Sequence, residues 1–256
     1  MPQVSTLALL CVYSGQERKI KVKQRLKING IIMILAALSV AVFPRFFLRG
    51  YSSGIGEEII EALGFVLILL GQIIRVSARG YKAEHSQDSR ALIQGGPYQV
   101  VRNPMYLGIF LIGTGVVLAV FKWWALAVFI AVFIIRYILL IYKEEQKLSA
   151  MFPQAYPGYC RKVPRIFPKL SSIIKLDVIE YLPIKIIWFK KEIGSIVALL
   201  FLVLLVDSWG DVARGGFRVY FQQFSWLLLI FVLFVILIIL LSKRTYKRDG
   251  YAADKS

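Results

Sequence analysis

Long runs of apolar residues, almost free of charge, constrain this chain more than any other feature. They cover Gly30 to Phe43, Ile59 to Ile74, Met105 to Phe121, Trp123 to Ile135, Ile193 to Val206 and Phe224 to Leu241. A helix needs roughly 20 apolar residues to cross a bilayer, and somewhat fewer where interfacial residues extend it. The first and fifth runs are short and must borrow their polar flanks. No strand-like alternation is present, so the backbone can satisfy its hydrogen bonds in lipid only as helices. The expectation is an all-α, polytopic integral membrane protein with about six transmembrane helices. A hydrophobic fraction of 58% agrees with that class and is high for a soluble domain.

A formal charge of +17 raises the possibility of a nucleic-acid partner. The distribution of that charge argues against one. With six spans, 26 of the Lys and Arg residues fall on the side of the N-terminal arm and only 5 on the other, with Arg136 left inside a span. This is the positive-inside asymmetry, and it places both termini in the cytoplasm. The surplus can also attract anionic lipid. Leu7 to Tyr13 is too short, and lacks the basic residue before it, to read as a cleavable signal. Cys11 and Cys160 both fall on the predicted cytoplasmic side, where thiols stay reduced, and His85 is the only histidine. A structural zinc site, or any other metal site, is therefore not expected.

Three zones follow. Residues 1–57 form a basic arm and the first span, residues 58–168 a core with polar cytoplasmic stretches, and residues 169–256 a basic linker with a final pair of spans. Most of the unusual residues lie in stretches 78–103 and 143–168. In the first of these, Gly95, Gly96 and Pro97 break any helix, and Asn103-Pro104 reads as a helix start with Asn as N-cap. The exposed N–H groups of such a start, with Arg102 beside them, form an anion site. Arg136 lies two turns before the end of the fourth span, where it either meets a polar partner or snorkels to the interface. Glu144 and Glu145 are adjacent, either sharing a cation or lying on a solvated helix end. His85 is a general base or a merely exposed side chain. Gly64 and Gly71, like Gly108 and Gly115, lie seven apart on one helix face, a spacing that lets helices approach closely.

Taken together, Gly96-x-Tyr98-x3-Arg102-Asn103-Pro104-x-Tyr106-x-Gly108, then Glu144-Glu145, then Phe152-x3-Tyr156-x2-Tyr159-x3-Val163-Pro164-Arg165-x2-Pro168 resemble the isoprenylcysteine carboxyl methyltransferase and phospholipid methyltransferase group of membrane enzymes. The resemblance implies an S-adenosyl-L-methionine site facing the cytoplasm, in the bacterial inner membrane or the endoplasmic reticulum alike. Arg90, Ala91, Leu92 and Ile93 would line the site. Tyr98 and the run Asn103, Pro104, Met105, Tyr106 would close over it, with Arg102 adjacent and Glu144 reaching it from the fourth span. Arg136 and Glu145 are the candidate catalytic residues, toward the acceptor head group and as a base for an amine acceptor.

The isoprenylcysteine enzymes usually carry His where Asn103 stands and Arg where Leu140 stands, whereas phospholipid members read Asn-Pro-Met-Tyr as here. The implied reaction is in-line methyl transfer to a lipid-like or prenylated acceptor, through a carboxylate, amine or thiol, within a water-poor pocket. The alternatives are an NADPH-dependent membrane reductase of the steroid-reductase type and a non-enzymatic membrane scaffold.

Overall fold

The computed structural model describes residues 38–40, 42–49, 55–86, 92–168, 181–215, 228–229 and 231–246. Every regular element of these residues longer than a single bridge is helical. The chain divides into two units, Met1–Leu48 and Arg49–Ser256. In the first, the short helix α1 (Pro44–Phe47) sets Phe46 edge-on to Phe47, with ring centroids 5.1 Å apart. Most of the first apolar run lies outside the described residues.

The second unit holds α2 (Ile55–His85), α3 (Pro97–Val100), α4 (Pro104–Val120), α5 (Trp123–Met151), α6 (Ala155–Lys162) and α7 (Ile186–Gly215). Residues 231–246 are also helical. The second to sixth apolar runs therefore fall on helices wherever they are described, apart from Phe121 just past the end of α4, and the short fifth run does gain its length from its flanks within α7. Among the described residues, α2 and α5 are long and apolar enough to cross a membrane. Both continue past their apolar runs, so residues 78–85 and 143–151 of the two polar stretches are helix rather than loop.

Helices α2 and α4 meet through their glycines. A Cβ on Gly64 would lie 2.7 Å from the Gly115 carbonyl oxygen, and one on Gly71 would lie 2.7 Å from that of Gly108. Both pairs put backbone against backbone, so a side chain at any of the four requires the helices to separate. The predicted packing role of these glycines is what the structure holds.

The C-terminal part of the unit packs on the far end of α2. Leu69, Ile73 and Val76 form a core with Ile184, Trp188, Phe189, Ile196, Phe234 and Ile238. Polar bonds bracket it. Ser77 Oγ donates to the Pro183 carbonyl at 2.7 Å, and the Trp188 indole N–H donates to Glu84 at 2.8 Å. Glu192 binds Arg79 at 2.6 Å and Arg75 at 3.4 Å. Helix α2 is thus held by glycine contact along its first half and by an apolar core rimmed with ion pairs toward its end.

Candidate functional site

Between the end of α2, the α3–α4 turn and the end of α5 lies a cavity of about 350 Å³. That volume is at the small end of the range for ligand pockets, roughly 300–1,000 Å³. Its lining comes from Lys82 and Ser86 at the end of α2, Leu92 and Ile93 before α3, Tyr98, Arg102, Asn103, Pro104, Met105 and Tyr106 around the turn, and Glu144, Leu148, Met151 and Phe152 at the end of α5, with Tyr159 behind.

The turn is built from its sequence. Gly96 has φ +56°, a left-handed conformation that favours glycine, and Tyr81 packs over Gly95 and Gly96. Pro97 opens α3 and Pro104 opens α4. Asn103 occupies the N-cap position, but its side chain makes no capping bond. Its amide instead donates to the Arg165 carbonyl at 3.1 Å, and the backbone N–H of Arg102 donates to the Pro164 carbonyl at 2.8 Å. The N–H groups of Tyr106 and Leu107 turn back on the Asn103 carbonyl. The expected anion site at the start of α4 is correspondingly reduced, because those donors are already engaged.

The two adjacent glutamates have different surroundings. Successive helical residues point ~100° apart, so the side chains diverge. Glu144 lines the cavity, accepts a hydrogen bond from Tyr106 Oη at 2.8 Å and has Lys82 Nζ at 3.9 Å. Glu145 is buried and accepts a fork of bonds from Arg165, 3.1 Å from Nε and 2.8 Å from Nη2, with Arg102 Nη1 at 3.2 Å. Its carboxylate also holds the Arg165 guanidinium above its ordinary pKa, through that hydrogen bond first. Among the described residues Glu144 pairs with Lys82 and Glu145 with Arg102 and Arg165, and no side-chain cation bridges the two carboxylates.

The third sequence block forms the back wall. Tyr156, Tyr159 and Val163 make a buried cluster, against which Leu92, Leu148 and Phe152 pack. Tyr159 Oη donates to the Tyr98 carbonyl at 2.7 Å, tying α6 to α3. Burial pushes the hydroxyls of Tyr98, Tyr156 and Tyr159 up, Tyr156 to about 12, with the charge of Glu144 adding at Tyr98 and that of Glu145 at Tyr156. These phenols stay neutral donors at physiological pH.

From Tyr106 an aromatic row descends along the α4–α5 seam. Tyr106 faces Tyr137 at 5.4 Å, Tyr137 stacks on Phe133 at 4.2 Å, and Phe133 meets Phe110 edge-on at 5.0 Å. Phe133, Tyr137 and Glu144 share one face of α5, which is why the row ends at the carboxylate.

Of the residues expected at a cofactor site, the cavity gathers Leu92, Ile93, Tyr98, Arg102, Asn103, Pro104, Met105, Tyr106 and Glu144. Arg90 and Ala91 lie outside the described residues. Glu145 is not among the lining residues, nor is Arg136, which is exposed on α5 beside Ile135 and Leu139. His85 is also exposed. Its ring stacks on Tyr81 at 3.9 Å and its Nδ1 lies 2.9 Å from the Tyr81 carbonyl oxygen. Lys82, Ser86, Leu148, Met151, Phe152 and Tyr159 line the cavity without having been singled out for it. For Phe152 and Tyr159 the third block held a signal. Lys82 was one basic residue among many.

Residues 59–155 match the family model described as Phospholipid methyltransferase. No curated protein and no solved structure matches the chain. All the cavity-lining residues except Tyr159 fall within the matched stretch.

Proposed function

Because residues 59–155 belong to the phospholipid methyltransferase family, we propose that this chain is a membrane methyltransferase. It transfers a methyl group from S-adenosyl-L-methionine to the polar end of a lipid-like acceptor. The observation that carries this reading is the cavity itself, which combines Glu144 and Lys82 with Leu92, Ile93, Leu148 and Phe152.

The donor set suits the cofactor. Glu144 is an acceptor for its ammonium or ribose hydroxyls, Lys82 is a cation for its carboxylate, and the aliphatic and aromatic wall suits its adenine. When bound, the cofactor supplies an electrophilic methyl on a sulfonium. The chain's own residues position and exclude. Tyr98, Tyr106 and the back wall shield one side of the cavity, and Tyr106 orients the Glu144 carboxylate through its 2.8 Å bond. An amine acceptor must lose a proton, and Glu144 lines the cavity where that proton can be taken. Glu145, neutralised by Arg102 and Arg165, holds the wall. Arg136, ~12 Å along α5 from Glu144 at 1.5 Å per residue, supplies a cation for an anionic acceptor head group. Asn103 and Leu140 favour a phospholipid over a prenylated carboxylate as acceptor.

The full topology of this reading has six spans, with both termini and the cavity on the cytoplasmic side, and it rests on the basic-residue asymmetry of the sequence. Reporter fusions near Val212 and after Ser256 are expected to report opposite sides; the same side for both would refute it. For the cofactor, calorimetry on the detergent-purified chain is expected to register S-adenosyl-L-methionine or its demethylated product and to show no heat with NADPH. Binding of NADPH in place of the methyl donor would instead support a reductase.

A further inference from the structure

Helix α2 continues past its apolar run through residues 75–85, about 16 Å at 1.5 Å per residue. Taken alone, that end is a poor helix. It is shorter than the roughly 12–15 residues an isolated helix needs, and Gly80 in its middle is the weakest helix former after proline. Yet Lys82 upon it lines the candidate-site cavity. Something outside α2 has to hold it there.

Gly80 and Lys82 are two residues apart, so they point ~200° apart around the helix axis. On the side away from the cavity, the indole of Trp188 fills the notch that Gly80 leaves, and a Cβ on Gly80 would run into that ring. The indole N–H donates to Glu84 Oε1 at 2.8 Å, and Lys185 Nζ donates to Glu84 Oε2 at 2.9 Å. Trp188 is buried in the core that Leu69, Ile73 and Val76 share with the C-terminal helices. On a third side Tyr81 packs over Gly95 and Gly96, and Tyr98 Oη donates to the Ala78 carbonyl at 3.4 Å, so the same helix end also carries the turn before α4. Trp188 itself is not among the cavity-lining residues, and it lies outside the matched stretch 59–155.

We propose that Trp188 is a positioning residue for the methyl-donor site. Seated against Gly80 and bonded to Glu84, it keeps the end of α2 helical and Lys82 at the cavity wall, so donor binding depends on the C-terminal helices. The donor is the ligand of the methyltransferase reading, on which this role rests.

The test is calorimetry on the full chain in detergent, with a melt on each preparation. The probes are S-adenosyl-L-methionine and methylthioadenosine, which lacks the amino-acid end that Lys82 would meet. Trp188→Phe keeps a ring over Gly80 and loses the bond to Glu84. Donor affinity per folded molecule should fall about two- to tenfold, the range for one lost hydrogen bond, with methylthioadenosine unaffected. Gly80→Ala should weaken donor binding in the parent, where the methyl meets the indole. In a Trp188→Ala background it should strengthen binding, because alanine fills the emptied notch and favours helix. If Trp188→Ala does not fold, Trp188→Phe and the single Gly80→Ala decide the matter. Ile196→Ala, in the same core but ~12 Å further along α7, should lower the melting temperature and leave donor affinity unchanged. Equal losses for the two probes, an equal loss in Ile196→Ala, or unchanged donor binding in Trp188→Phe would each overturn this role alone. A parent chain that does not bind the donor would remove the methyltransferase reading and this role with it.

Discussion

The two faces of the candidate-site cavity differ in a way that one step along α5 explains. On the Glu145 side the buried carboxylate and the nearly buried Arg102 are locked, and the one carboxylate grips arginines from two separate segments. On the Glu144 side the carboxylate is 40% exposed and is held by a single tyrosine bond and a lysine at 3.9 Å. The locked face joins α5 to the α3–α4 turn and to the segment after α6, so it sets the shape of the cavity. The open face has unfilled hydrogen-bonding capacity and meets whatever enters. Neighbouring residues of the same type thus divide structure from chemistry, because the helix turns ~100° between them.

The largest effect that can break this comparison is on the locked face. Glu145→Gln leaves Arg102 and Arg165 facing a neutral amide, and removing one partner of a buried ion pair costs about 3–5 kcal/mol. Arg165 is 53% exposed and can rehydrate, so about 3 kcal/mol is expected. A melt should show a clear loss of stability, with cofactor affinity per folded molecule little changed. A variant as stable as the parent would mean that the arginines are held by something else.

On the open face the order of effects should reverse. Glu144→Gln removes a charge-assisted bond worth roughly 1.5–3 kcal/mol to a bound ligand, so affinity for S-adenosyl-L-methionine should fall about ten- to a hundredfold. Stability should barely move. Calorimetry and a melt on the same preparation would tell the two faces apart, and an unstable, normally binding Glu144→Gln would invert the assignment.

The smallest effect concerns the back wall. Burial raises the pKa of Tyr98, Tyr156 and Tyr159 above the ordinary value of 10.0. Folding therefore favours the neutral phenols. Their contribution is fully present below the unfolded value and is lost as pH rises toward the folded value, about 12 for Tyr156. Melts taken from about pH 9 upward should fall in temperature above about pH 10, and Tyr156→Phe should flatten part of that slope. A slope unchanged in this variant would show that Tyr156 ionises as freely in the folded chain as in the unfolded one.

Much of the site was legible in the sequence. Gly96, Pro97, Asn103 and Pro104 mark where helices start and stop, and the structure breaks and restarts the chain there. The paired glycines announced close packing by their spacing. The side-chain role of Asn103 was not legible. Whether its amide caps α4 or reaches Arg165, 62 residues away in the chain, depends on a contact between distant segments. Lys82 was hidden for a related reason. It joins the cavity only because α2 continues as helix past its apolar run, and that extension is braced by contacts of Ser77, Arg79 and Glu84 with residues 183–192.

By itself, then, the sequence determined that the chain builds apolar helices broken at defined turns. Run length, charge and the backbone limits of Gly and Pro are local properties, and lipid admits no other use of such runs. Only the tertiary structure decided which glutamate faces the cavity and which becomes a clamp, and that Arg136 stays on the exposed flank. Those outcomes depend on the rotation of α5 about its own axis, which is set by the packing of Phe133 and Tyr137 against Phe110 and Tyr106. A seam packed one residue out of register would turn Glu145 to where Glu144 stands without changing the motif.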